Sequence, residues 1–134
     1  MSEIITDKLT GKTSAGDVTI TSEGGSATMQ LQQGVAKCWV KYDQKTDNQI
    51  DDSFATSSVS DLGTGDAHWN LSNAFANTDA VMSGATSRTG TPAISGNSGF
   101  TLNTSSQYQI NTLDAGSSTK EDTEWGAIGH GDLA

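Results

Sequence analysis

The sequence predicts an all-β fold: an antiparallel β-sandwich of jelly-roll type preceded by an extended N-terminal arm. Three observations predict it. Ser, Thr, Gly and Asn interrupt the chain every few residues, leaving no stretch long enough for a stable helix. In the best-patterned segment, apolar residues recur at every second position, the period of a strand. A single proline, Pro92, stands among many closely spaced turn residues, as in short strands joined by tight connections.

The first element is the arm, residues 1–25. Its sizeable aliphatic residues are Ile4, Ile5, Leu9, Val18 and Ile20, spread over turn-prone sequence. It reads as extended chain with one short strand at Asp17 to Thr21, suited to adding to a neighbour's sheet or lying in a groove. A frayed tail is the bland alternative. The sandwich is expected over residues 26–134. It opens with the one helical candidate, Ala27 to Gln33, closed by Gly34. Val35 to Tyr42 follows as the clearest strand, with Ala36, Cys38, Val40 and Tyr42 on one face and Lys37, Trp39 and Lys41 on the other. A polar loop is expected at Asp43 to Asp52, then a strand at Ser53 to Asp61 carrying Phe54 and Val59.

Leu62-Gly63-Thr64-Gly65-Asp66 is a glycine-rich turn, so Thr56 to Leu71 reads as a hairpin with a longer loop, Trp69 and Leu71 sharing a face. Further strands are expected at Ala80 to Ser87, Phe100 to Thr104, Tyr108 to Leu113 and Trp125 to Ile128. That makes two sheets of about four strands whose edges need cover.

Material for a core is thin. Leu, Ile, Val and Phe make up about a sixth of the 134 residues, below the ~20% that, with high net charge, marks disorder. Such a chain orders only if its apolar residues share one strand face or a partner subunit completes the packing. Seven basic against sixteen acidic residues give a net charge of -9, which repels phosphate and argues against nucleic-acid or anionic-membrane partners. Cys38 is the single cysteine, so no intrachain disulfide forms. The N-terminal residues lack a basic start and an apolar stretch of signal length, so folding in a cytoplasm is expected.

Candidate chemistry is sparse, and the sequence leads us to expect no enzyme, cofactor or metal. Gly96-Asn97-Ser98-Gly99 with upstream His68 resembles a serine-protease signature, but Asn97 replaces its Asp and the chain is too short for the two-barrel scaffold. Asp43, Asp47, Asp51 and Asp52 could collect a hard cation. Read as an EF-hand from Asp43, however, Lys45 and Phe54 occupy ligand positions and Asn48 replaces the turn glycine. Gly63-Thr64-Gly65-Asp66-Ala67-His68 lacks the third glycine and the helix of a dinucleotide fingerprint. His68 and His130 lack zinc-ligand spacing, and Cys38 on the apolar strand face reads as a buried small hydrophobe. Asn70-Leu71-Ser72 and Asn103-Thr104-Ser105 match glycosylation sequons of the kind that Ser/Thr-rich chains produce by chance. Trp39, Trp69 and Trp125 are the sharper question. Each falls within an expected strand, so packing in the core or between subunits is favoured, together with Cys38 and Val40, over stacking on a sugar.

Val35-Ala36-Lys37-Cys38-Trp39-Val40-Lys41-Tyr42, then Asp52-Ser53-Phe54, then Ser57-Ser58-Val59-Ser60-Asp61-Leu62-Gly63-Thr64-Gly65-Asp66 together resemble a domain of tailed-bacteriophage virion and tail-fibre proteins, notably of marine phages. The likeness extends to Gly24-Gly25, Leu31-Gln32-Gln33-Gly34 and Trp125-Gly126-Ala127-Ile128-Gly129. Cys38, the acidic loop and the His68-Trp69 pair depart from the family pattern. The resemblance implies a virion structural protein. With a short arm and no long shaft, it implies a homotrimeric capsid decoration (cement) or short head fibre, partnered by the major capsid protein or by tail proteins. The rival reading is a tail-fibre or spike component that binds a host receptor or glycan.

Overall fold

The computed structural model describes residues 3–12, 18–22, 24–87, 99–113 and 119–134. The chain divides into two compact units, Met1–Val35 and Ala36–Ala134. Among the described residues the first unit holds a two-stranded antiparallel hairpin, β1 (Thr19–Thr21) with β2 (Thr28–Gln30), in which Ile20 faces Met29. Its turn is closed by Ser22, whose N–H donates to the Ala27 carbonyl at 2.8 Å. One helical turn, α1 (Leu31–Gly34), follows without a side-chain cap. Of the expected helix over Ala27 to Gln33, Leu31 to Gln33 is helical and Thr28 to Gln30 is strand. Thr28 to Gln30 pair with β1, and three β-bonded residues leave only one turn to wind. The β1–β2 pairing ties Thr28 to Gln30 to the N-terminal segment, and the first unit runs to Val35. The start of the expected Asp17 to Thr21 strand, at Asp17, lies outside the described residues.

The second unit is the predicted antiparallel sandwich, with eight strands among the described residues in two sheets of four. One sheet runs β4 (Gln49–Phe54), β3 (Cys38–Asp43), β10 (Glu124–His130), β7 (Val81–Ser87). The other runs β5 (Thr56–Gly63), β6 (Asp66–Leu71), β9 (Gln107–Asn111), β8 (Gly99–Thr104). Hairpin partners stay side by side: β3 with β4, β5 with β6, β8 with β9. The central strands alternate buried and accessible positions over their lengths, and their inward residues form one core. Cys38, Val40, Tyr42, Trp125 and Ala127 enter it from the first sheet, and Ala67, Trp69, Leu71, Tyr108 and Ile110 from the second. Rings supply most of its bulk. Tyr42 and Trp125 lie 5.3 Å apart, Trp69 and Tyr108 5.7 Å, and Phe75 meets Tyr108 edge-on at 6.3 Å. Concentrating the few large side chains on the inner faces is how this polar sequence completes a core.

Several boundaries differ from expectation. Gln49 to Asp52 belongs to a strand where the sequence predicts a loop, because Asp51 and Asp52 sit on an exposed edge where charge is tolerated and blunts further pairing. The expected strand over Ser53 to Asp61 breaks at Ala55, whose φ of 53° turns the chain from one sheet into the other. The β5–β6 loop is tight instead of long. Gly63 pairs with Asp66, and Gly65 takes a φ of 64°, where a Cβ would run into the Thr112 carbonyl and the Glu121 N–H. Tyr108 to Leu113 is a strand only to Asn111, with Leu113 in a single bridge to Lys120. Phe75, which lies outside any strand and shows no periodicity, fills the core from a loop at 1% exposure.

Candidate functional site

The two outer faces of the sandwich differ in kind. On the β5-β6-β9-β8 sheet, polar side chains bond to one another across the strands. Asn70 Nδ2 donates to Ser58 Oγ at 3.0 Å, Gln107 Nε2 to Asn70 Oδ1 at 2.8 Å, and Gln109 Nε2 to Asp66 Oδ1 at 2.9 Å. Lys120 Nζ reaches the other Asp66 oxygen at 2.8 Å. Partial burial works against the Asp66 carboxylate, yet the Lys120 ammonium and the Gln109 amide outweigh it and hold its pKa below the usual value. His68 belongs to this face, its Nε2 beside the Asn103 amide at 3.4 Å. With these side chains bonded to one another, the face reads as a solvated wall.

The outer face of the β4-β3-β10-β7 sheet has a different pattern, set by register. Phe54, Trp39, Ile128 and Ser83 line up across the four strands as one row, with Asp52, Lys41, Gly126 and Ala85 as the next. Phe54 is 54% exposed and Ile128 36%. Gly126 contributes no side chain, so a shallow slot opens over the centre of the sheet. Along β10 it is bounded by Ile128 at one end and Glu124 at the other. Trp39 and Lys41 stand on the β3 side, and Ala85 lies low on the β7 side. The space measures about 390 Å3 at the Ile128 end and about 240 Å3 at the Glu124 end. Lys41 pairs with Asp51, and that ion pair raises its pKa.

The three tryptophans thus separate. Trp69 and Trp125 are 0% and 2% exposed and belong to the core with Cys38 and Val40. Trp39 faces outward, half-buried, and lines the slot. The period-two alternation of Val35 to Tyr42 already set Trp39 opposite Cys38 and Val40. What it did not contain is the gap at Gly126, which depends on pairing β3 and β7 to either side of β10.

Other candidates disperse. Asp43 ends β3 and folds its carboxylate onto the Thr46 and Lys45 N–H groups at 2.8 and 2.9 Å, which lowers its pKa. Asp51 and Asp52 belong to β4, so the four aspartates do not share one loop. Among the described residues, no group of three His, Cys, Asp or Glu side chains is placed to hold a metal ion. Ser98, the nucleophile of the protease-like signature, lies outside the described residues, as do Gly96, Asn97 and Pro92. In the first unit Ile4 and Ile5 are each 86% exposed, Leu9 58% and Ile20 44%, with Val18 partly covered.

Cys38 is buried against Gly129. Burial pushes its thiol up to about 11, only partly offset by a hydrogen bond with the Gly129 backbone. We expect a thiol reagent to leave the native protein unmodified at mildly alkaline pH and to label one equivalent once urea unfolds it. Rapid labelling of the native chain would contradict the burial. Comparison with protein-family models, with curated proteins and with solved structures yields no match.

Proposed function

We propose that this chain is a non-enzymatic structural protein of a bacteriophage particle, a trimeric surface decoration held in place by its N-terminal segment. One observation carries the reading. The second unit completes its own core, whereas no described residue of the first unit is buried. Ile4, Ile5, Leu9, Ile20, Met29 and Val35 all present large apolar side chains to solvent. A unit of this size cannot cover itself, and such a surface is stable in an assembly that covers it. Sister copies and the shell are the partners that fit, and the resemblance of residues 22–129 to tailed-phage virion domains points the same way. Self-repulsion at a net charge of -9 keeps free copies soluble before assembly.

Sedimentation of the full chain at micromolar concentration should give three times the monomer mass, and the protein should co-sediment with shells of the phage that encodes it. Replacing Ile4 and Ile5 together by Asp should abolish shell binding while the near-UV spectrum of the sandwich aromatics stays unchanged. A monomer that ignores capsids, or a double variant that binds as well as the parent, would overturn the proposal.

A further inference from the structure

We propose that the slot over Gly126, on the outer face of the β4-β3-β10-β7 sheet, is a binding subsite for a neutral pyranose at the end of a glycan. The slot belongs to the sandwich alone, so this inference does not depend on how the N-terminal segment is used. Its shape comes from three choices along adjacent strands. Gly126 leaves the floor bare, Ala85 keeps one wall low, and Trp39 supplies an aromatic surface at the other. Among the described residues, a Cβ built at Gly126 meets only the Val40 carbonyl, at 3.6 Å, an ordinary contact. The bare floor therefore has no structural cause in its surroundings, in contrast to Gly84, where the Phe100 ring takes the place of a side chain.

The occupant follows from chemistry and charge. A pyranose is amphipathic: its C–H face stacks on an indole, and its hydroxyls project around the edge. The slot matches that division, with Trp39, Ile128 and Ala85 around the apolar part and Glu124 and Lys41 at the far end, where hydroxyls can donate to the carboxylate and accept from the ammonium. Its Ile128 end, at about 390 Å3, falls within the ~300–1,000 Å3 range of small-molecule sites. Asp43, Asp52 and Glu124 share this face, and Lys41 is already paired with Asp51. An anionic sugar would meet net negative charge here. The local charge thus selects against anionic sugars, and a neutral polyol fits the mixed apolar and polar lining.

The test uses the full chain and the methyl glycosides of glucose, galactose, mannose and N-acetylglucosamine, with the methyl glycoside of sialic acid as the anionic comparator. At least one neutral glycoside should shift the Trp39 indole N–H resonance and leave those of Trp69 and Trp125 in place. Gly126→Val fills the floor with a residue suited to a central strand. It should keep the melting temperature of the parent and weaken binding by roughly tenfold or more. Trp39→Ala should weaken binding as much at a small cost in stability, and Trp39→Phe should retain part of the affinity. The proposal is overturned if no neutral glycoside binds, if the sialoside binds best, or if both Gly126→Val and Trp39→Ala bind like the parent. It is also overturned if those variants lower the sedimenting mass without any sugar response, since the face would then be a contact between copies. A parent chain that binds a neutral glycoside yet stays monomeric and ignores shells would sink the assembly reading and leave this one standing.

Discussion

Replacing Trp69 with alanine should destabilise the sandwich by about 3–5 kcal/mol, a large share of the ~5–15 kcal/mol that holds a domain of this kind together. Trp69 is wholly buried and stacks on Tyr108, so its removal takes away the largest inward side chain of β6 and leaves a cavity between the sheets. Its indole N–H also donates to Thr56 Oγ1 at 2.9 Å, and that hydroxyl donates in turn to the Trp39 carbonyl at 3.2 Å. One hydroxyl therefore ties β6 to β3 across the sandwich, and alanine leaves its accepting side empty. With a urea dependence of about 2 kcal/mol per molar, the midpoint should fall by about 1.5–2.5 M. Trp69→Phe keeps most of the volume and loses the bond, and should fall between the two. Trp39→Ala is the control: its half-exposed ring should cost about 1 kcal/mol or less. Equal midpoints for Trp69→Ala and Trp39→Ala would mean that the inward and outward faces of these strands have been exchanged.

Most of the sandwich was legible because its strands obey the period-two rule. In β3, β6 and β9 every second residue is apolar, and each of these strands lies where the alternation places it. The rule fails where one face of a strand is not needed for the core. In β4, Ile50 is the one aliphatic residue, and the strand exists because β3 offers a free edge to pair with. Its Gln-Ile-Asp-Asp sequence reads as a loop to any argument based on burial. The one-turn helix was over-read for a related reason. Ala-Thr-Met-Gln-Leu-Gln-Gln has fair helix propensity, but propensity is weak beside a hairpin partner such as Thr19 to Thr21.

The candidate site was legible by halves. Composition and alternation together identify Trp39 as the tryptophan that faces away from the core, and this much needs no coordinates. The slot needs β3, β10 and β7 in order, with Gly126 between Lys41 and Ala85. Those three residues are far apart in the chain, and no local pattern encodes their meeting. The difference between the two outer faces is non-local as well. One wall bonds amides and hydroxyls to one another, while the other leaves an aromatic ring and a bare backbone beside each other. Core positions are recorded in short-range periodicity. A surface site is recorded in which strands become neighbours.

Replacing Gln44 with glutamate should be as damaging as losing a core aromatic, although the two side chains are almost the same size. Gln44 is 3% exposed and follows β3, where its Nε2 donates to Asp61 Oδ1, the Gly63 carbonyl and the Asp66 carbonyl, each at 3.1 Å. These three atoms frame the β5–β6 turn, which Asp122 also holds by accepting from the Gly65 N–H at 2.6 Å. All three are acceptors, so only a donor fits among them. A carboxylate there would face three oxygens, one of them charged, at a cost of about 3–5 kcal/mol near neutrality. Gln44→Ala removes the bonds without adding charge and should cost about 1–3 kcal/mol. The two variants also differ in pH dependence. Burial and the three oxygens raise the folded pKa of the introduced carboxyl above the ~4.3 of the unfolded chain. A group whose folded pKa is raised supports the fold most below its unfolded pKa and loses that support as pH rises through the folded one. Q44E should therefore lie furthest below the parent near neutrality and close part of the gap towards pH ~4, where the protonated carboxyl can again donate one bond. Q44A should hold a constant offset across the same range. Parallel curves for the two variants would show that the amide nitrogen is not what those three oxygens require.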